Sequence, residues 1–444
     1  MSEPTVEVFE FEGQGLTEAF WDTLVRDYWG RRPVVFKKVL AAPVISEQGL
    51  FDVFVTASAR HLASRERHRP GKKRARLSFY GDGSNAQVLE DHAAWLPTER
   101  DGSFGAYAAR LERELGSRQW GAFLNTLHPY AHDLWRASRE MVFALFQRVG
   151  AAMGRVGVES FIGPYDSTPF GVHKDQAHIL TFPVMGEKRT RLWPYAGIAT
   201  HLGLGHSDSD LETVRNTPFR KRVPDDEPPI RLIAGVGDVT YWPPSYWHIV
   251  DGQGDLNAAV TLGIEPNDDP MALAAKILAR QPPFTERTTP VADGSPRTSA
   301  RRLAHWKAMA QAYADALRSR DLEGQVQDEL DRQDSNLMFD GAIERRDDVV
   351  IGPGDVLLSD ARFPILVREK EGGRACYING NRLMLAASPG LDRLVARLNG
   401  GGEHAVDELI ELTVRASDGG LEARDVLAVL TTFAAFHALA LRPR

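Results

Sequence analysis

TPFGVHKDQAHILTFPVMGEKRTRLWP, residues 168–194, reads as β-strand, yet it sets His173, Asp175 and Lys188 among apolar neighbours. Residues two apart on a strand share a face, so His173 and Asp175 project together while Lys174 faces away. Burying such groups costs several kcal/mol unless something pairs with them. One imidazole and one carboxylate are two of the three donors in a 2-His-1-carboxylate facial triad, which leaves positions open on a non-haem ferrous ion. The third donor must come from another strand. The best candidate is His248 in VGDVTYWPPSYWHIVDG (236–252), where a Gly-Asp turn, an apolar strand and a Pro-Pro corner precede it. A His-x-Asp pair alone is common, and a lone strand histidine is usually core; the combination carries the reading. Lys188 lies beyond the turn at Gly186. A lysine inside an apolar barrel needs an anionic partner or it deprotonates. A dicarboxylate co-substrate that chelates iron at one end would bring its other carboxylate there.

Around this stretch, residues 157–266 fall into short apolar or alternating runs broken by Gly, Pro and Asp: ESFIG, HILTFPV, TRLWPY, IRLIAG, DVTYWP, HIVDG, AAVTLGIEP. Evenly spaced short strands predict a β-barrel or sandwich. The polar stretch 201–229 reads as a long loop over one mouth, and it contains His201 and His206. On the N-terminal side, LTEAFWDTLVRDYWG predicts a helix, and Pro33 opens a strand, VVFKKVL. Residues 131–149 carry apolar positions at helical spacing. The basic cluster in 58–77 reads as a solvated helix and loop, with docking of an acidic or phosphorylated partner as the sharper alternative. His178 faces away from the metal side by alternation and is expected at the surface or behind the site.

The 444 residues suggest several domains. Residues 1–266 form the expected barrel domain with its N-terminal elaboration. Residues 267–335 form a helical segment whose long amphipathic stretch needs a partner surface, on its own domain or on a second subunit. Residues 336–444, strands followed by short helices, make a winged-helix-like unit. The fold class is thus mainly β with α: a double-stranded β-helix (jelly-roll or cupin) core with helical and winged-helix-like additions. A net charge of −7 excludes a molecule that binds nucleic acid by bulk electrostatics. The acidic start is unlike a signal peptide, and no apolar run approaches the ~20 residues of a membrane span. The single cysteine, Cys376, excludes an intrachain disulfide framework and a cysteine-rich metal site. A reducing, cytoplasmic setting fits.

FGVHKD…MGEKRTRLWP followed by GDVTYWPPSYWHIV resembles the JmjC group of 2-oxoglutarate-dependent oxygenases, the ribosomal oxygenases in particular. The resemblance implies Fe(II) on His173, Asp175 and His248, with Lys188 holding the tail of 2-oxoglutarate. RDYWGRRPVVFKK resembles the opening motif of that family. DLNAAVTLGIEPND resembles the closing barrel strand, which places Asn257 near the co-substrate. The order of barrel, helices and winged-helix-like end also matches, with the helices dimerising in that group. The sequence departs from the asparaginyl hydroxylase of the hypoxia pathway at Ile179, where that relative has an asparagine. It departs again at Phe170, where a co-substrate hydroxyl is expected. Thr181 or Tyr165 is the substitute for that hydroxyl. The implied activity is hydroxylation of an amino-acid side chain in a protein or ribosomally made peptide, with O2 as oxidant.

Three other readings fit the residues. A non-redox cupin metalloenzyme would work with Zn(II) or Mn(II) and release no succinate. An inert barrel could accompany a tail that binds peptide or nucleic acid, and the few basic residues there favour peptide. Demethylation of methyl-lysine needs the same iron chemistry.

Overall fold

The computed structural model describes residues 6–266, apart from 12, 67–76, 82–86, 90–92, 117–119, 153, 169–171, 196–227 and 253. It also describes 322–442 apart from 418–419, and scattered positions between 267 and 321. The long loop with His201 and His206, Phe170, most of the basic cluster and most of the amphipathic stretch before residue 322 lie outside the described residues. The chain divides into two compact units, residues 1–267 with 337–344, and 268–336 with 345–444.

Eight strands of the first unit build the barrel: β6 (Val156–Gly163), β7 (His173–Lys174), β8 (His178–Met185), β9 (Lys188–Pro194), β10 (Ile230–Ala234), β11 (Val239–Trp242), β12 (Tyr246–Asp251) and β13 (Asn257–Ile264). They alternate between two sheets. The larger sheet runs β11-β8-β13-β6 at its centre and the smaller β10-β9-β12-β7, the crossing pattern of a double-stranded β-helix. The larger sheet is widened by β1 (Val8–Glu10) and β2 (Val34–Lys37) on one side, and by β3 (Leu77–Gly81), β4 (Gln87–Leu89) and β5 (Trp120–Leu124) on the other.

The central strands β8, β11 and β13 are buried on both faces, which is why HILTFPVM has no polar side. Leu180, Phe182 and Val184 face outward with Val158, Ile162, Val260 and Leu262. They meet residues of α1 (Glu18–Thr23), α2 (Glu47–Glu66), α3 (Phe104–Leu115) and α4 (His132–Val149), among them Phe20, Phe54, Phe104 and Val142. Ile179 faces inward and packs with Val35, Leu192, Leu232 and Trp242. Pro183 cannot donate to a ladder, and the pairing with β13 slips there: Ala258 faces Met185 while Ala259 faces Pro183. That bulge is how a proline is tolerated in a central strand.

The Gly-Asp turn has a mechanical role. Asp238 accepts hydrogen bonds from the Gly235 and Lys38 amides and from Lys37 Nζ, at 2.7–2.9 Å. It therefore ties the start of β11 to the end of β2. Gly237 (φ +91°) lies where a Cβ would come within 2.8 Å of the Leu40 carbonyl, so a side chain is excluded. The segment 337–344 returns to this unit, bonding both ways with Val156 and burying Phe339.

The second unit has its own core. The antiparallel meander β15 (Leu366–Lys370), β16 (Gly373–Ile378) and β17 (Asn381–Leu385) is accompanied by a second sheet, β18-β14-β19. Its strands are β14 (Val356–Ser359), β18 (Gly402–Ala405) and β19 (Leu439–Leu441). After α5 (Leu322–Asp334) and the meander, α6 (Pro389–Asn399) precedes β18, and α7 (Val406–Ala416) and α8 (Ala423–Ala435) follow one another between β18 and β19. Their buried stripes, such as Leu391, Leu394, Val395 and Leu398, close the core. Cys376 is buried in it, and burial pushes its thiol up to about 11.

Candidate metal centre

Strand pairing brings the distant histidine to the His-x-Asp pair. β12 runs antiparallel to β7 with His248 directly opposite His173, ring centroids 4.2 Å apart. Asp175, one residue beyond β7, places Oδ2 3.4 Å from His248 Nε2 and 4.0 Å from His173 Nε2. All three donor atoms lie within 4.8 Å of one another. Those separations are long for hydrogen bonds among them but suit donors around one ion. His248 is 4% exposed, with Trp242 stacked obliquely at 5.3 Å. Burial, then the neighbouring His173, pushes its value down to about 3, so it is a neutral base with a lone pair available. Its Nδ1 is buried without a hydrogen-bond partner among the described residues. Asp175 and His173 are partly exposed, so the cluster opens on one side. Two neutral-capable imidazoles and a carboxylate with an open side fit a catalytic divalent metal.

The inner wall beyond the cluster is polar in a defined row. Thr240 pairs with Thr181, Thr181 with Thr261, and Thr261 with Glu159, across four adjacent strands. Residues in register share a face, and this face is inward because their neighbours Leu180, Val158 and Leu262 point out. The hydroxyls of Thr181 and Thr261 are 3.5 Å apart. Lys188, on β9 of the other sheet, is 5% exposed, with Nζ 5.4 Å from the centre of the Phe161 ring. Burial lowers it to about 8, opposed by the charge of Glu159. Glu159 is half-buried and is raised to about 8, first by burial and then by Asp175. The motif reading passed over this acid. Its signal was present in VGVESFIG, where Glu159 is the only charge and sits on the inward parity.

Tyr165 and Asn257 bond each other, Tyr165 donating to Asn257 Oδ1 at 3.1 Å. The Asn257 amide donates to the carbonyls of Gly163 and Asp255. Its polar atoms thus clamp the ends of β6 and β13. Gly252 lies beneath this clamp, where a Cβ would come within 2.3 Å of the Tyr165 carbonyl.

His178 faces away from the cluster, as alternation predicts, but it is buried. It stacks on Trp29, rings 3.9 Å apart and nearly parallel, and bonds Tyr241 Oη through Nδ1 at 2.8 Å. The same Oη accepts from the Gly30 amide at 2.8 Å. The tyrosine O–H is therefore the donor to Nδ1, and burial keeps the imidazole neutral, down to about 4. The Trp-Gly of the opening motif is thus a brace on the outer face of β8 and β11.

No curated protein matches the chain. Among solved structures, it is similar to E. coli YcfD at 14% identity, covering 95% of this chain and 98% of that one, with a TM-score of 0.45. A structure of YcfD, a ribosomal oxygenase from Escherichia coli, in complex with cobalt and 2-oxoglutarate matches at 14% identity over the same shares, with a TM-score of 0.44. Residues 133–269 match the family model of the JmjC domain. His173, Asp175, Lys188 and His248 all fall inside that span.

Proposed function

We propose that the protein is an Fe(II)- and 2-oxoglutarate-dependent hydroxylase acting on a side chain of a protein or peptide. The observation that carries this is the convergence of His173, Asp175 and His248 within reach of one ion, with a buried lysine on β9, the strand paired with that of His248. When bound, the ferrous ion and co-substrate supply the oxidising chemistry: one O2 and one 2-oxoglutarate yield CO2, succinate and one hydroxyl on the acceptor carbon.

The chain's own part is geometric and electrostatic. His248 is fixed by β12 and presents a neutral nitrogen; Asp175 adds the negative charge that favours a divalent over a monovalent ion. Lys188 offers a buried cation to the far carboxylate of the co-substrate. The threonine row lies on the larger sheet, and Thr181 within it is our candidate for the co-substrate hydroxyl. Trp242, Ile179 and Leu192 keep the metal end of the cavity apolar and exclude water from the reacting centre. In the second unit, three short helices beside small antiparallel sheets support the winged-helix-like reading of residues 336–444. Its role there would be partner or peptide contact.

The test is mass spectrometry of cellular protein with and without this chain, joined to succinate release by purified protein. A gain of one oxygen on a single peptide, with stoichiometric succinate, is the expected result. Metal-dependent turnover without succinate would assign the barrel to a non-redox cupin enzyme instead.

A further inference from the structure

We propose that Trp242 is a co-substrate-binding residue: its indole N–H donates to the carboxylate at the metal-chelating end of the 2-oxo acid. This rests on the Fe(II)/2-oxoglutarate reading above. Trp242 is the last residue of β11, paired with Ile179 of β8, and both side chains turn into the barrel. It is 3% exposed, and its ring centroid lies 5.3 Å from that of His248. Its Nε1 is nonetheless buried with no hydrogen-bond partner among the described residues. An unsatisfied buried donor is costly, and rare enough in native folds to require a cause. A bound acceptor supplies one.

The surroundings select the acceptor. Val35, Ala177, Ile179, Leu192 and Leu232 are the buried residues clustered with Trp242, and none carries a polar side-chain atom. An ordered water needs two to four polar partners, and these side chains offer it one; an anion already held by a metal is under no such requirement. The substrate to be oxidised enters from the open side, where His173 and Asp175 are partly exposed, whereas Trp242 stands beside His248, the deeply buried ligand. A group enclosed there is one bound before that substrate arrives. Lys188 fixes which end of the co-substrate it is. On β9, Leu192 pairs with His248 and packs with Trp242, while Lys188 lies further back with Thr190 between them. The tail carboxylate goes to the lysine, so the chelating carboxylate is the one beside Trp242. Hydrogen bonds to an ionised acceptor are among the stronger ones.

The test is calorimetric titration of the Mn(II)-loaded full-length protein at neutral pH with 2-oxoglutarate and, separately, 2-oxopentanoate, which has the same chelating end and no tail carboxylate. Trp242→Phe keeps an aromatic ring and removes the N–H. It should weaken both acids alike, by ~10-fold or more, with Mn(II) affinity unchanged. Wild-type affinity for either acid, or a loss of Mn(II) affinity, overturns the proposal. Nuclear magnetic resonance of the wild type, isotope-labelled at the indole nitrogens and loaded with diamagnetic Zn(II), separates a hydrogen bond from cavity shape and does not depend on the variant folding. One of the nine tryptophan indole protons should move downfield with either acid. If none moves, the ring only shapes the cavity and the proposal is overturned. If metal binds but the wild type takes up neither acid, the co-substrate reading fails, and this inference with it. That outcome is distinct from tight binding of both acids that ignores Trp242.

Discussion

His173 and His248 face each other in register on paired antiparallel strands, ring centroids 4.2 Å apart, although 75 residues (248 − 173) separate them in the chain. The pairing makes the two histidines a property of the smaller sheet, held by ladder hydrogen bonds, with Asp175 on the residue that follows β7. Removing a donor should therefore remove metal without removing the fold. Asp175→Ala and His248→Ala are each expected to lose more than the ~10–100-fold in Mn(II) or Co(II) affinity typical of outer-shell changes. Calorimetry and circular dichroism check this, and a variant that keeps wild-type affinity would remove its residue from the cluster.

Lys188, buried on β9, is the proposed partner of the co-substrate tail. Lys188→Met should leave Mn(II) affinity intact while weakening 2-oxoglutarate by at least ~30-fold, the lower end for removing one partner of a buried charge pair (~2–5 kcal/mol). Equal loss for 2-oxoglutarate and 2-oxopentanoate would mean that the lysine shapes the cavity and does not hold a carboxylate.

The brace on the outer face makes a prediction about stability alone. Tyr241→Phe leaves the Gly30 amide and the His178 ring nitrogen without their shared partner. A cost of ~1–3 kcal/mol is expected, read as a lower denaturant midpoint with unchanged metal affinity. A midpoint equal to wild type would show that stacking on Trp29, not the hydroxyl, holds the brace.

Acid should destabilise the metal-free protein through its buried histidines. His128 and His178 are held at about 4 in the fold by burial, whereas in the unfolded chain each takes a proton near pH 6.5. Unfolding thus takes up protons between those values. Stability is fully present above about pH 6.5 and falls as pH drops towards 4, by ~1.4 kcal/mol per pH unit for each histidine. Urea titrations at several pH values test this, and His178→Leu should flatten the slope by about one proton.

Much of this architecture was legible in the sequence, for physical reasons. Two-residue alternation put His173 and Asp175 on one face and turned Lys174 and His178 to the other. The Gly-Asp turn marked where β11 begins, and the Pro-Pro corner where it ends and β12 follows, and so where His248 enters. Lys188 stood out because an ion in an apolar run demands a partner. What was hidden depends on contacts between segments far apart in the chain. The burial of His178 requires Trp29 and Tyr241, which its own strand does not announce. The clamp between Tyr165 and Asn257 spans two strand ends, and the bulge at Pro183 shows only in the pairing with β13. Glu159 was missed because no motif contains it.

The most direct measurement is optical. Fe(II) and 2-oxoglutarate are added anaerobically to the purified chain, and the visible charge-transfer band of a 2-oxo acid chelated to ferrous iron is followed. The band should appear with one equivalent of each, and should be absent in His173→Ala. A colourless wild-type solution that nonetheless binds Fe(II), or a band that survives loss of His173, would contradict a ferrous, 2-oxo-acid-binding centre on these three residues.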